Sequence, residues 1–220
     1  RRDHLLQALA ERIEALGVRA KTLCFDVRDQ QQVFDVCGSL EADWAEIDVL
    51  INNAGLALGL DPLQSGDLDD WNTMIDTNIK GLLYVSRALV PGMVERNRGE
   101  IINIGSVAGD AAYANGNVYC GTKAAVKMIT DGLRIDTAHT RIRVTNIKPG
   151  LVEPHFSNVR FHGDDERANS VYKGIKPLTG EDIADVAYYA ASAPAHVQIA
   201  EVLVLATHQA SGSVVKRNAE

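Results

Sequence analysis

Apolar positions along the chain switch repeatedly between a helical period and short strand-like runs. Leu5, Leu6, Leu9, Ile13 and Leu16 recur at helical spacing and Gly17 stops the run, which predicts an amphipathic helix over 3–16. Lys21-Thr22-Leu23-Cys24-Phe25 reads as a short strand ending at Asp26, and 29–44 returns to the helical period. Ile47-Asp48-Val49-Leu50-Ile51 is a second predicted strand, cut off by Asn52-Asn53-Ala54-Gly55. Helices are predicted over 67–77, 80–96 and 116–138, and strands over Glu100–Ile104 and Ile142–Ile147, with Pro149-Gly150 ending the latter. Residues 151–179 are polar and irregular, a length that signals a functional loop or lid. A helix over 181–191 and a strand over Glu201–Leu205 close the pattern.

Strands alternating with helices argue for a parallel sheet covered on both faces, and the β-branched, continuously apolar strands agree with burial on both sides. No repeat, low-complexity tract or linker divides residues 1–220, so a single α/β domain is expected, a doubly wound parallel sheet. Such sheets bind nucleotides through a Gly-rich turn after the first strand. No G-x-G-x-x-G or similar turn stands near the start, which is a helix with no strand before it.

Composition narrows the partners. The net charge is −7 and no basic tract stands out, so neither nucleic acid nor an anionic membrane is an expected partner. The longest apolar runs are strand-sized, far short of the roughly 20 residues of a membrane span. Cys24, Cys37 and Cys120 are scattered, as reduced thiols of a cytoplasmic protein would be, and the six histidines show no metal-ligand spacing. Arg1-Arg2-Asp3-His4 leads straight into a helical pattern, so no signal peptide is expected.

The candidate chemistry begins with Tyr119-x-x-x-Lys123. On a helix these side chains stand one turn apart on one face, and a nearby ammonium brings a phenol that titrates near ~10 closer to use as an acid or base. Ser106 follows the strand Glu100–Ile104, where side chains of parallel sheets face the binding crevice; a serine there also serves plain turns. Asn52-Asn53-Ala54-Gly55 ends another strand, either as a simple turn or as a close backbone approach to a flat ligand. Asn78 interrupts a helical stretch, either as a cap or as the holder of a water in a proton relay.

N-N-A-G, the asparagine of T-N-x-x-G, G-S, Y-x-x-x-K and the later P-G together resemble the short-chain dehydrogenase/reductase family, in order and at its spacing, over essentially the whole chain. Within it, Leu50–Gly59, Lys148–Glu153, Lys176–Leu178 and Pro194–Ala210 are similar to NADP-dependent serine/3-hydroxy acid dehydrogenases, also called malonic semialdehyde reductases. The resemblance implies a Rossmann-like fold and hydride exchange between NADP(H) and a small hydroxy or oxo acid. It implies Tyr119 as general acid/base, with Lys123 lowering its pKa and binding the nicotinamide ribose. Ser106 would orient the substrate carbonyl, and Asn78 would support a proton relay. Asp26-Val27 would contact adenine, Asn53-Ala54-Gly55 the ribose side, and Pro149, Gly150 and Val152 the nicotinamide. Arg1 and Arg2 match an R-R pair that reads the 2′-phosphate, a task that suits the planar guanidinium fork; a charged chain start is the alternative. Relatives are commonly homotetramers.

Two features depart from the family pattern. Pro154 stands where many relatives carry a threonine that bonds the nicotinamide carboxamide, a role Ser157 would have to take. If Arg1-Arg2 closes the second strand, the first two strands and the Gly-rich turn are expected upstream of Arg1. These departures keep open a second reading, a catalytically silent nucleotide-binding or scaffold protein of the same fold. In the 151–179 loop, Arg160, His162, Lys173 and Lys176 are candidates to pair with a substrate carboxylate, or are solvated charges.

Overall fold

Short runs of Ile, Val and Leu, the first three closed by Asn, Gly or Pro, pair into one parallel sheet. The structure, a computed structural model, describes residues 3–153 and 155–217. The strands are β1 (Val49–Asn52), β2 (Gly99–Ile104), β3 (Ile142–Pro149) and β4 (Glu201–Val204), and they lie side by side in chain order. The helices are α1 (Asp3–Glu14), α2 (Gln30–Gly38), α3 (Leu68–Ile75), α4 (Leu82–Glu95), α5 (Asn117–Asp136), α6 (His155–Arg160), α7 (Asp165–Ser170) and α8 (Gly180–Ser192).

The two-residue period of the strands sorts the core into two layers. Ile101 and Val144 point to one face and pack with Leu50, Val90, Met93 and Ile142 beneath α4 and α5. Ile102 and Ile147 point to the other face and meet Ala187 and Ala190 of α8. Helices therefore cover both faces, as the alternation predicted. Helix starts are set locally. Asp29 accepts from Gln32 N–H, Asp67 from Asp69 and Asp70 N–H, and Thr179 and Asp182 form a reciprocal capping box.

Three expectations need correction. Residues 21–25 form no strand, because no strand pairs with this run among the described residues. The outer edge of β1 is likewise open there, and Val49 and Ile51 are 43% and 49% exposed. The helix expected over 29–44 ends at Gly38, where Ser39 returns N–H bonds to Asp35 and Cys37, and a separate turn covers Ala42–Trp44. The 151–179 stretch is not irregular. It holds α6 and α7, is closed by a parallel bridge between Val152 and Leu178, and buries Phe161 and Ala168. Tyr172 Oη donates to Val152 O (2.8 Å), so a polar segment is compact through its own hydrogen bonds.

One buried ion pair locks the far end of the sheet. Glu100 on β2 is nearly inaccessible, and Arg143 on β3 holds it at 2.7 Å. Burial pushes the Glu100 carboxyl up, and Arg143 and the Thr145 hydroxyl pull it back. The same guanidinium donates to the carbonyls of Ala191 (2.9 Å) and Ala193 (2.6 Å), anchoring the end of α8. Arg143→Met strands a buried carboxylate and frees those carbonyls, and is expected to cost about 3–5 kcal/mol of stability by urea unfolding. A loss under about 1 kcal/mol would show that Glu100 reaches water instead.

Candidate active site

The carboxyl ends of β1, β2 and β3 open onto a cleft of about 900 Å³. Its lining includes Asn53, Ala54 and Gly55 after β1, Gly105 and Ser106 after β2, and Pro149, Gly150 and Val152 at the end of β3. Tyr119 and Lys123 reach it from the first two turns of α5. Beneath it, register aligns Asn52, Asn103 and Asn146 across the sheet. Asn52 Nδ2 donates to Asn103 Oδ1 (2.8 Å), and Asn103 Nδ2 to Thr130 Oγ1 (2.9 Å), so a polar row ties the strand ends to α5.

Ser106 is buried and extended, and its hydroxyl accepts from Ala108 N–H (3.1 Å), capping the tight turn Val107–Gly109. That turn lets α5 approach: a Cβ on Gly109 would stand 2.7 Å from Lys123 O. Lys123 Nζ donates to Ile104 O (2.8 Å) at the end of β2 and lies 6.0 Å from the Tyr119 ring centroid. Burial pushes Lys123 down to about 8. Burial also pushes the Tyr119 hydroxyl well above its ordinary value, opposed first by a hydrogen bond with Ser106 and then by Arg160.

Asn78 sits one layer behind the cleft, inside a π-helical turn (Asp76–Gly81) that joins α3 to α4 without a break. Its Oδ1 accepts from Leu56 N–H (2.8 Å), and its Nδ2 donates to Leu56 O (2.8 Å) and Thr122 Oγ1 (3.0 Å). The side chain is thus a bracket for the 53–56 loop, and it holds Gly55 so close that a Cβ there would stand 3.3 Å from Asn78 Oδ1 and 3.4 Å from Lys123 Nζ. Thr122 completes the bracket by donating to Tyr119 O (2.8 Å).

Other expected residues lie elsewhere. Asp26 is forked by Arg28 (2.9 Å) and Val27 packs on Gly81, both outside the cleft lining. Arg1, Arg2 and Pro154 lie outside the described residues. Ser157 is not offered to the cleft, since its Oγ is 2.7 Å from Tyr172 Oη, which itself donates to Val152 O. Phe156, whose ring centroid is 5.7 Å from that of Tyr119, and the bracket member Thr122 were not singled out from the sequence. No local signal marks Phe156, which reaches Tyr119 only when the lid folds. Thr122 sits one turn after Val118 and adjoins Lys123, a hint visible only once Asn78 is known to be opposite.

Comparison with known proteins identifies the family. The short chain dehydrogenase family profile matches residues 1–164. The chain is 51% identical over 210 residues to an NADP-dependent 3-hydroxy acid dehydrogenase of Salmonella typhi, covering 95% of this chain and 84% of that protein. It is 44% identical over 218 residues to the NADP-dependent 3-hydroxy acid dehydrogenase of Schizosaccharomyces pombe, covering 99% of this chain and 84% of that one. The fold superposes on the closed form of serine dehydrogenase complexed with NADP+ with a TM-score of 0.92 at 45% identity, over 100% of this chain and 88% of that one. With a family profile matched over most of its length and close relatives at half identity, the chain belongs to the short-chain dehydrogenase family.

Proposed function

We propose that this chain is an NADP-dependent oxidoreductase that interconverts a small 3-hydroxy acid and its 3-oxo acid, with Tyr119 giving and taking the proton. The observation that carries the reading is the burial of Ser106, Tyr119 and Lys123 on one wall of a cleft at the carboxyl end of the sheet. The substrate class rests on the names of the two 3-hydroxy acid dehydrogenases above.

The cleft fits a dinucleotide. Its floor is main chain at Gly55 and Gly150, where added Cβ atoms would press on Asn78 and Lys123 in one case and collide with Gln209 in the other. Asn53, Ala54 and Gly55 would hold the ribose side, and Pro149, Gly150 and Val152 the nicotinamide side. Asp26 and Val27 would meet adenine, and Arg1 and Arg2 the 2′-phosphate. When bound, NADP(H) accepts or supplies the hydride. Tyr119 Oη, kept protonated by burial, is a proton donor to a nascent alkoxide in reduction and an acceptor in the reverse direction. The Ser106 hydroxyl, on the same cleft wall as Tyr119, would hold the substrate oxygen within reach of the same proton. Lys123, charged below its depressed pKa, favours the phenolate whenever Tyr119 has released that proton.

Tyr119→Phe is expected to lower kcat by roughly 10²–10⁴-fold with NADPH affinity unchanged, read as nicotinamide absorbance loss and as NADPH fluorescence titration. A variant that keeps more than about a tenth of the turnover would remove Tyr119 from the chemistry. Lys123 yields a second expectation. Its folded pKa lies below its unfolded one, so the unfolded chain binds more protons between about pH 8 and 10.5, and stability rises with pH in that window. Relative to Lys123→Met, the wild-type chain should gain about 2 kcal/mol of unfolding free energy from pH 8 to pH 10. A pH-independent difference would show that the ammonium keeps its water in the folded state.

A further inference from the structure

Of the loop cations considered above, Lys173, Lys176 and His162 are exposed, and His162 is paired with Asp70 at 3.0 Å. Arg160, the last residue of α6, is different. Its guanidinium carbon lies 5.6 Å from the Tyr119 ring centroid and 5.5 Å from that of Tyr113. Its Nε donates to Gly59 O (3.1 Å), while Gly59 N–H donates to the Arg160 carbonyl (2.9 Å), so both loop and arginine are fixed. Among the described residues the guanidinium has carbonyl and aromatic partners but no carboxylate within ion-pair reach.

Tyr119 is the shared wall between the large cleft and the narrow pocket that Arg160 lines. That pocket has room for about 10 Å³, the space of one water or one carboxylate oxygen. Asp61, Asp67 and Asp70 also line it, with Asp61 accepting from Leu60 N–H, Asp67 capping α3 and Asp70 beside His162, so an anion has to sit on the Arg160 side, away from these carboxylates. A planar cation 5.6 Å from the centroid of the proton-transferring ring keeps N–H groups beyond the one on Gly59 O, and these can donate to a carboxylate oxygen.

We propose that Arg160 is the specificity-determining residue of this site, taking the carboxylate of a short hydroxy or oxo acid while the substrate oxygen meets Tyr119. The assignment rests on the oxidoreductase reading above and deepens it, because it makes the negative charge of the substrate, rather than its chain, the feature selected. Aromatic faces and a fixed carbonyl pre-orient the guanidinium, so little order is lost when the acid binds.

The test compares acetoacetate with its methyl ester as substrates of the wild-type chain, Arg160→Met and Arg160→Lys, with NADPH affinity measured by fluorescence in each. Expected are a wild-type preference for the acid of roughly 100-fold in kcat/KM, its loss in Arg160→Met because the acid suffers far more than the ester, and an intermediate ratio in Arg160→Lys. NADPH affinity should stay within about threefold throughout. Equal loss on acid and ester would make Arg160 a brace for Gly59 and overturn the assignment, as would a wild-type chain that treats acid and ester alike. If Arg160→Met does not fold, Arg160→Lys and the wild-type ratio decide. A wild-type chain that reduces neither compound overturns the oxidoreductase reading itself, a result distinct from the other two.

Discussion

The backbone contact between α5 and the turn after β2 is the constraint on which this site depends. Gly109 leaves no space for a side chain against Lys123 O, so the helix reaches the sheet end at main-chain distance. That approach brings Lys123 Nζ to Ile104 O and Tyr119 to Ser106. A methyl group at Gly109 would push the helix away and separate Ser106, Tyr119 and Lys123 at once. Polar links from Asn103 to Thr130 and from Asn78 to Thr122 hold the rest of α5 at the same depth.

Burial then decides the charge states. An ammonium and a phenol removed from water both move toward their neutral forms, so Lys123 falls and Tyr119 rises. The spacing of tyrosine and lysine one turn apart predicts a phenol drawn downward, but spacing alone cannot show how far both groups are removed from water. Ser106 and Arg160 are the groups that pull the phenol back.

The lid is built by a different logic from the core. Tyr172 links Ser157 to Val152 through one hydroxyl, the Val152–Leu178 bridge closes the base, and Arg217 donates to the carbonyls of Val171 (3.0 Å) and Lys173 (2.6 Å). Few of these partners are apolar, which is why the segment resembles an irregular loop in sequence. Its inner side presents Phe156 and Arg160 to Tyr119, so the chain that covers the cleft also supplies part of its wall.

Much of this was legible in the residues alone. The parallel two-faced sheet followed from continuously apolar, β-branched strands between helical runs, and Ser106, Asn53–Gly55 and Pro149–Gly150 at strand ends converge on one cleft with Tyr119 and Lys123 of the following helix. Asn78 was visible as an interruption, but its bond to Thr122 spans 44 residues and exists only because the π turn of one helix faces α5. The run at 21–25 shows the opposite limit: strand composition does not make a strand without a hydrogen-bonding neighbour. Local periodicity fixes which face of an element is apolar, because that is a property of the element itself. Which carbonyl satisfies Lys123, what Ser157 binds and what Arg160 stacks upon are decided by packing between distant segments, and only the folded chain brings those atoms together.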